Sequence, residues 1–261
     1  MTTEDFISEL FYQVDETMKA IPKHPLASLW PSEVVTLGVL FALKGVGSRA
    51  FYRWVSRDWR DLFPALPDRT RLFRLLATHR QWTEIFLAAP SVLGVVDSYG
   101  VELLHPLREG RRAQQIGRKG KSNHRWIVGG KLCLLLNHLG LVVAWDCAGA
   151  NSPDTACHPL IEAFDGERIV LSDTAFHAKE GDPPNLKLCD RGLWNTRMLV
   201  ETVLSMLTTV CHLKKVLHRT WAAFQARLAF TLTTFNLLVQ WHGLHPDPRG
   251  FIHLSLAEFS L

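Results

Sequence analysis

Three carboxylates stand in settings where a lone acid is costly. In the run "RMLVETVLSML", Glu201 is the one formally charged side chain between Met198 and Leu213. An unpartnered buried carboxylate costs several kcal/mol and protonates instead, so Glu201 must be exposed, paired or bound to a cation. Asp97 closes the apolar run "VLGVVDS", and Asp173 closes "RIVLSD". Carboxylates at strand ends lie at a sheet edge, where ligand sites of α/β folds gather. If all three meet, their like charges repel unless divalent cations neutralise them. Two Mg²⁺ ions roughly 3.5–4 Å apart would do so. They would also activate a water or 3′-hydroxyl and stabilise the leaving oxygen of a phosphodiester. Each acid has a plainer alternative: a turn or helix cap for the aspartates, and a solvated i,i+4 pair with Arg197 for Glu201.

The elements that must position these acids are legible from periodicity. Leu199, Val203, Met206, Val210, Leu213 and Leu217 share one face of a predicted helix. Glu201, Ser205, Thr208, His212 and Lys215 share the other. "VLGVVDS" (92–98) and "ERIVLSD" (167–173) are predicted buried strands, and "LKLCD" (186–190) a further one. "HRWIVGGKLCLLLN" and "LGLVVAWDCAGAN" form a predicted strand pair split by a turn around Asn137–Gly140. "PDTACHPLIEAF" is expected to be a short helix, and Trp221 to Trp241 a core helix. Residues 1–90 are expected to be all helical, with Gly45 and Gly47 breaking "PSEVVTLGVLFALKG" and Asp68 capping a later helix. The fold class is therefore α/β: a mixed sheet flanked by helices, preceded by an all-α N-terminal region.

Charge is unevenly spread along the 261 residues. The net charge is +4, yet residues 44–80 and 105–131 together carry +13, leaving −9 for the remainder. Basic segments against an acidic remainder favour a polyanionic partner, most simply nucleic acid, over two merely solvated surfaces. The stretch "REGRRAQQIGRKGKSNHR" holds seven basic residues and three glycines. It is expected to be a mobile loop gripping phosphates through Arg111, Arg112, Arg118, Lys119 and Lys121. Trp54, Trp59 and Trp194 either stack on an unpaired base or pack in the core. Five cysteines with no CxxC spacing suit reduced thiols of a cytoplasmic protein. The N-terminus "MTTEDFISEL" lacks the order of a signal peptide. The apolar run Trp221–Trp241 is too polar for a membrane span.

The order "VVDS", "LSDTAF", "WNTRMLVETVLSML" resembles the DDE transposases of bacterial insertion sequences, which carry an RNase H-like catalytic domain. That family's second aspartate stands in an Asp-x-Gly/Ala-Tyr/Phe context, matched by Asp173-Thr174-Ala175-Phe176. Its last acid lies in Tyr-x2-Arg-x3-Glu-x6-Lys, which reads here as Trp194, Arg197, Glu201 and Thr208. The lysine is thus missing, with His212 or Lys215 as candidate replacements. "GGKLCLL" and "GANSPDTACHPL" resemble the family's second strand and the loop after its third. The likeness spans about Val92 to Trp241, more weakly Pro31 to Phe63. The acids are separated by 76 and then 28 residues.

The resemblance implies an RNase H-like catalytic domain over 91–245, a helical region over 1–90 that could bind DNA, and a tail over 246–261. It implies a transposase that cuts at element ends and joins the freed 3′-hydroxyls to target DNA. Asp97 would bridge two Mg²⁺ ions (Mn²⁺ can substitute), Asp173 would hold one and Glu201 the other. Arg197 would orient Glu201 or a DNA phosphate, and Lys215 would touch DNA. The partners would be double-stranded terminal inverted repeats and target DNA in the bacterial nucleoid, with paired ends pointing to a homodimer. Two rivals stay open: a metal-dependent nuclease on the same scaffold, and a transposase-derived DNA-binding protein that has lost its chemistry.

Overall fold

The computed structural model describes residues 2–111, 115–122, 125–189, 196–214, 218, 220–244 and 248. Helix α1 (Thr3–Met18) starts at a reciprocal cap: Asp5 N donates to Thr2 Oγ1, and Thr2 N to Asp5 Oδ2. Helix α2 (Pro31–Lys44) starts at a proline and stops at Gly45, whose φ of 59° suits glycine. The ring of His212 packs where a Gly45 side chain would stand. Helices α3 (Ser48–Asp58) and α4 (Arg69–Thr78) follow, the latter capped by Asp68 as expected, and a 3₁₀ turn spans Arg80–Phe86.

Strands β1 (Leu93–Leu104), β2 (Arg118–Ser122), β3 (Arg125–Asn137), β4 (Val142–Gly149), β5 (Ile169–Ser172) and β6 (Leu186–Leu188) form one mixed sheet. Its order is β2-β3-β1-β5-β6, with β4 following β2 along the same edge of β3. β1, β3 and β4 are antiparallel, whereas β5 and β6 run parallel to β1. Between β4 and β5 lie a 3₁₀ turn (Asp154–Cys157) and the short helix α5 (His158–Glu162). Helices α6 (Thr196–Thr209) and α7 (Trp221–His242) close the described chain.

The sheet separates two cores. Val95, Val101, Leu132, Leu134 and Leu136 face a large core that also holds Val200, Val203 and Leu207 of α6, most of α7 and the N-terminal helices. Val96, Cys133, Leu135 and Val170 face a smaller core with Cys157, Ile161 and Phe176. Helix α7 is buried nearly all round, which explains why its sequence is apolar without a clear stripe. It crosses α2 at Gly38, where an added side chain would strike the Phe230 ring. The helical residues before β1 therefore share one continuous core with α7 and the sheet. Trp54 and Trp59 flank that core and meet edge to face at 6.1 Å, so their rings are packing elements rather than free stacking platforms. Trp194 lies outside the described residues.

Two buried polar residues join the layers. The guanidinium of Arg227 donates to the carbonyls of Phe41 and Ala42, which α2 leaves unpaired at its C-terminus. Asn236 accepts from Val142 N at 2.9 Å and donates to Phe86 O and Val142 O.

Burial, aided by the charge of Arg227, pulls the His218 pKa from 6.5 to about 4. The unfolded chain then takes up a proton that the folded chain refuses. This stability contribution is complete above pH 6.5 and fades as pH falls toward 4. A loss of roughly 2 kcal/mol by pH 5 is expected. It should show as a falling Tm between pH 7 and 5 that a His218→Gln variant largely lacks.

Three expectations need correction. β1 does not end at Asp97 but continues to Leu104, because Tyr99, Val101 and Leu103 keep alternating onto the large core while β3 supplies the backbone partners. Part of the expected basic loop is strand β2, held by backbone pairing to β3 that needs no apolar side chains. Helix α6 stops at Thr209, so His212 does not share the Glu201 face. Thr208 and Thr209 hydroxyls bond back to Ser205 O, and His212 takes φ 54°.

Candidate active site

Asp97 sits mid-way along β1 on the face of Val95 and Tyr99, toward the large core. On the β5 side the parallel register pairs Leu93 with Ile169, Gly94 with Val170 and Val95 with Leu171. Extended two residues beyond the last paired position, the same register would set Asp97 level with Asp173. The Asp173 backbone is still extended, with φ −81° and ψ 174°. Neighbouring strands run about 4.8 Å apart, and residues level in a parallel pair project to the same face. Continued past the end of β5 at Ser172, this register would bring Asp173 to the level and face of Asp97. A crevice at such a strand end is where ligands of open sheets bind.

The local partners of each acid are defined. Asp97 Oδ1 accepts from Ser98 N at 2.7 Å, and Asp97 makes further contacts. Asp173 Oδ1 accepts from Ala175 N at 2.9 Å and caps the 3₁₀ turn Thr174–Phe176, so its plainer role as a cap is also real. Glu201 is exposed on α6, whose Val200, Val203 and Leu207 pack on the same core as the Asp97 face. The side chain of Arg197, one turn earlier, is not among those described, and neither are Arg112 and Lys215.

Oxygen ligands from two carboxylates suit Mg²⁺ or Mn²⁺. Among the described residues, however, no three His, Cys, Asp or Glu side chains converge enough to form a metal cluster. Glu201 is exposed on α6.

Cations lie further along β1, in a cleft that neither aspartate lines. Lys214 Nζ lies 5.9 Å from the centre of the Tyr99 ring, two residues along β1 from Asp97. A cleft of about 760 Å³ continues from there toward the end of β1, lined by His105, Arg108, Arg111, Arg125 and Lys214, with Glu102 as the acid among the described lining residues. On β2, Arg118, Lys119 and Lys121 are exposed. Lys119 pairs with Glu109 at 3.2 Å and lies 5.7 Å from the ring centre of the exposed Trp126.

Periodicity alone does not single out Lys214 and Trp126. Lys214 is hidden because the apolar repeat suggests that α6 continues past Leu213. On the opposite face of the sheet, Lys131 Nζ bonds Asp154 Oδ1 at 3.1 Å, and the Ser98 hydroxyl donates to the same oxygen. This half-buried network ties the loop after β4 to the strand that carries Asp97. None of the five cysteines forms a disulfide, and burial pushes Cys147 and Cys211 up to about 12, which disfavours their thiolates.

No single helix among the described residues is long and apolar enough to cross a membrane. No protein-family model matches the chain, and no curated protein matches it at a significant level.

Proposed function

We propose that this chain is a metal-dependent DNA transposase with an RNase H-like catalytic domain, cutting at element ends and transferring 3′-hydroxyls into target DNA. The observation that supports this reading is the parallel β1–β5 register, which if extended two residues would bring Asp97 level with Asp173 on the face whose core α6 shares. The sheet adds support: four strands (β1 to β4) antiparallel among themselves where they pair, followed by two parallel to β1, with β1 central. Asp97 and Asp173 would hold the ions, and Glu201 would complete the set. Bound Mg²⁺ would supply Lewis acidity and an activated oxygen nucleophile. The chain's own part is to fix the two aspartates on rigid strands and to hold phosphates along the cationic cleft. Double-stranded DNA is the partner, two copies would pair the two ends, and the working compartment would be the bacterial cytoplasm.

The direct test offers the protein DNA with pre-cut 3′ ends and Mg²⁺ or Mn²⁺. Joining to a target duplex supports transposition, and cleavage without joining would reassign the chain to the nuclease class. A second reading, a DNA-binding descendant without chemistry, is favoured by two observations. Thr208, where the family has lysine, spends its hydroxyl on Ser205 O, and the three acids do not form a closed cluster. Binding without any metal-dependent cleavage would select it.

Neutralising Arg111, Arg112, Lys119 and Lys121 together should weaken binding across unrelated sequences. The slope of log K against log salt should fall by about 3–4 in magnitude, close to one unit for each phosphate that is no longer neutralised. An unchanged slope would remove β2 and the preceding segment from the DNA path.

A further inference from the structure

A second cavity, of about 610 Å³, lies between the α2–α3 junction, α4 and α7, and none of the three carboxylates lines it. Phe41, Phe73, Leu76 and Phe230 give it an apolar floor. Its polar lining is cationic or hydrogen-bond donating: Ser48, Lys214, His218 and Arg227.

Two independent features point to an anion there. Arg227 is 2 % exposed, and while its terminal nitrogens reach the α2 carbonyls, its Nε has no hydrogen-bond partner. Among the described residues no carboxylate forms an ion pair with it. Buried polar groups are almost always satisfied, so this N–H marks a place for an acceptor. The second feature is the start of α3. Gly47 supplies no side-chain cap to this 11-residue helix, and Gly45, Val46, Gly47 and Ser48 at its start line the cavity. Uncapped amides at the positive end of a helix attract anions.

We propose that this cavity binds a small amphipathic anion: an aromatic or branched aliphatic body carrying one carboxylate, sulfonate or phosphate. The body lies on Phe41, Phe73 and Phe230, and the head group meets the α3 amides, Lys214 and the Arg227 Nε. The inference does not depend on the DNA chemistry, and its test reads ligand binding rather than cleavage.

The probe is 8-anilinonaphthalene-1-sulfonate, titrated into the folded full-length chain and followed by fluorescence. One saturable site is expected. Ala77→Phe, which fills the cavity, should abolish it, and Lys214→Met, at an exposed position that spares the fold, should weaken it about tenfold. The uncharged analogue N-phenyl-1-naphthylamine should bind at least about tenfold less tightly. Equal binding of the neutral analogue would overturn the proposal. So would several weak sites insensitive to Lys214→Met, or displacement of the probe by duplex DNA, which would assign the cavity to the nucleic-acid path.

Discussion

An Asp173→Asn variant is expected to lose metal-dependent DNA cleavage by at least about a thousandfold, equivalent to roughly 4 kcal/mol of transition-state stabilisation. The substitution is chosen because asparagine caps as well as aspartate. The bond from Ala175 N can persist, so the 3₁₀ turn Thr174–Phe176 and the fold around it should survive. What disappears is the negative charge of the carboxylate. Cleavage rates with Mg²⁺ and with Mn²⁺, alongside DNA affinity, separate the two roles of this residue. If it acts through a metal, cleavage collapses while affinity stays within a few-fold. If it is purely a cap, both stay unchanged, and the catalytic assignment fails. Asp97→Asn should behave in the same way, and Glu201→Gln less severely if the aspartate pair retains one ion.

The largest stability effect is expected at Asn236. Its amide satisfies Val142 N, Val142 O and Phe86 O from the middle of α7, where the residue is fully buried. Asn236→Leu keeps the branched heavy-atom shape but strands Val142 N and Phe86 O away from water, whereas Val142 O still accepts from Ala88 N at 2.8 Å. Each unsatisfied group costs about 1–3 kcal/mol, so a net loss of about 2–4 kcal/mol is expected. For a chain of this size the Tm would fall by roughly 10 °C. Thermal or urea unfolding checks this directly. A change below about 1 kcal/mol would show that water replaces the amide and that α7 is less tightly joined to β4 than the geometry indicates.

Much of the architecture could be read from residue pattern. "VLGVV", "RIVLS" and "LCLLLN" are apolar on both faces because both faces of the sheet are covered. Asp68 and the Gly45 break marked helix ends through chemistry that is local in sequence. What escaped was non-local. "RKGKS" contains nothing that favours a strand by side-chain burial, and it becomes one through backbone pairing to β3 at a lysine-rich edge. The end of α6 was equally hidden. Its apolar repeat runs on through Leu213, and the stop comes from threonine hydroxyls turning back onto Ser205 O and from the left-handed backbone of His212.

The candidate site shows the same division. That Asp97 and Asp173 follow buried runs was visible, but whether the two come level depends on which strands become neighbours and in what register. A separation of 76 residues says nothing about that until β1 and β5 are paired. Lys214 finds its place beside Tyr99 only because α6 ends before it, which the apolar repeat conceals. Glu201 stood out by its isolation in an apolar run, and the structure answers that oddity with exposure on a helix packed over the aspartate face.

Asp97 and Asp173 are proposed to bind a divalent cation together. The most direct measurement is a Mn²⁺ titration followed by electron paramagnetic resonance on the wild-type chain and on the two asparagine variants. Saturable binding that disappears in both Asp97→Asn and Asp173→Asn, with folding intact, is the predicted result. Binding that survives both substitutions, or a wild-type chain that takes up no Mn²⁺ with or without DNA, would contradict it.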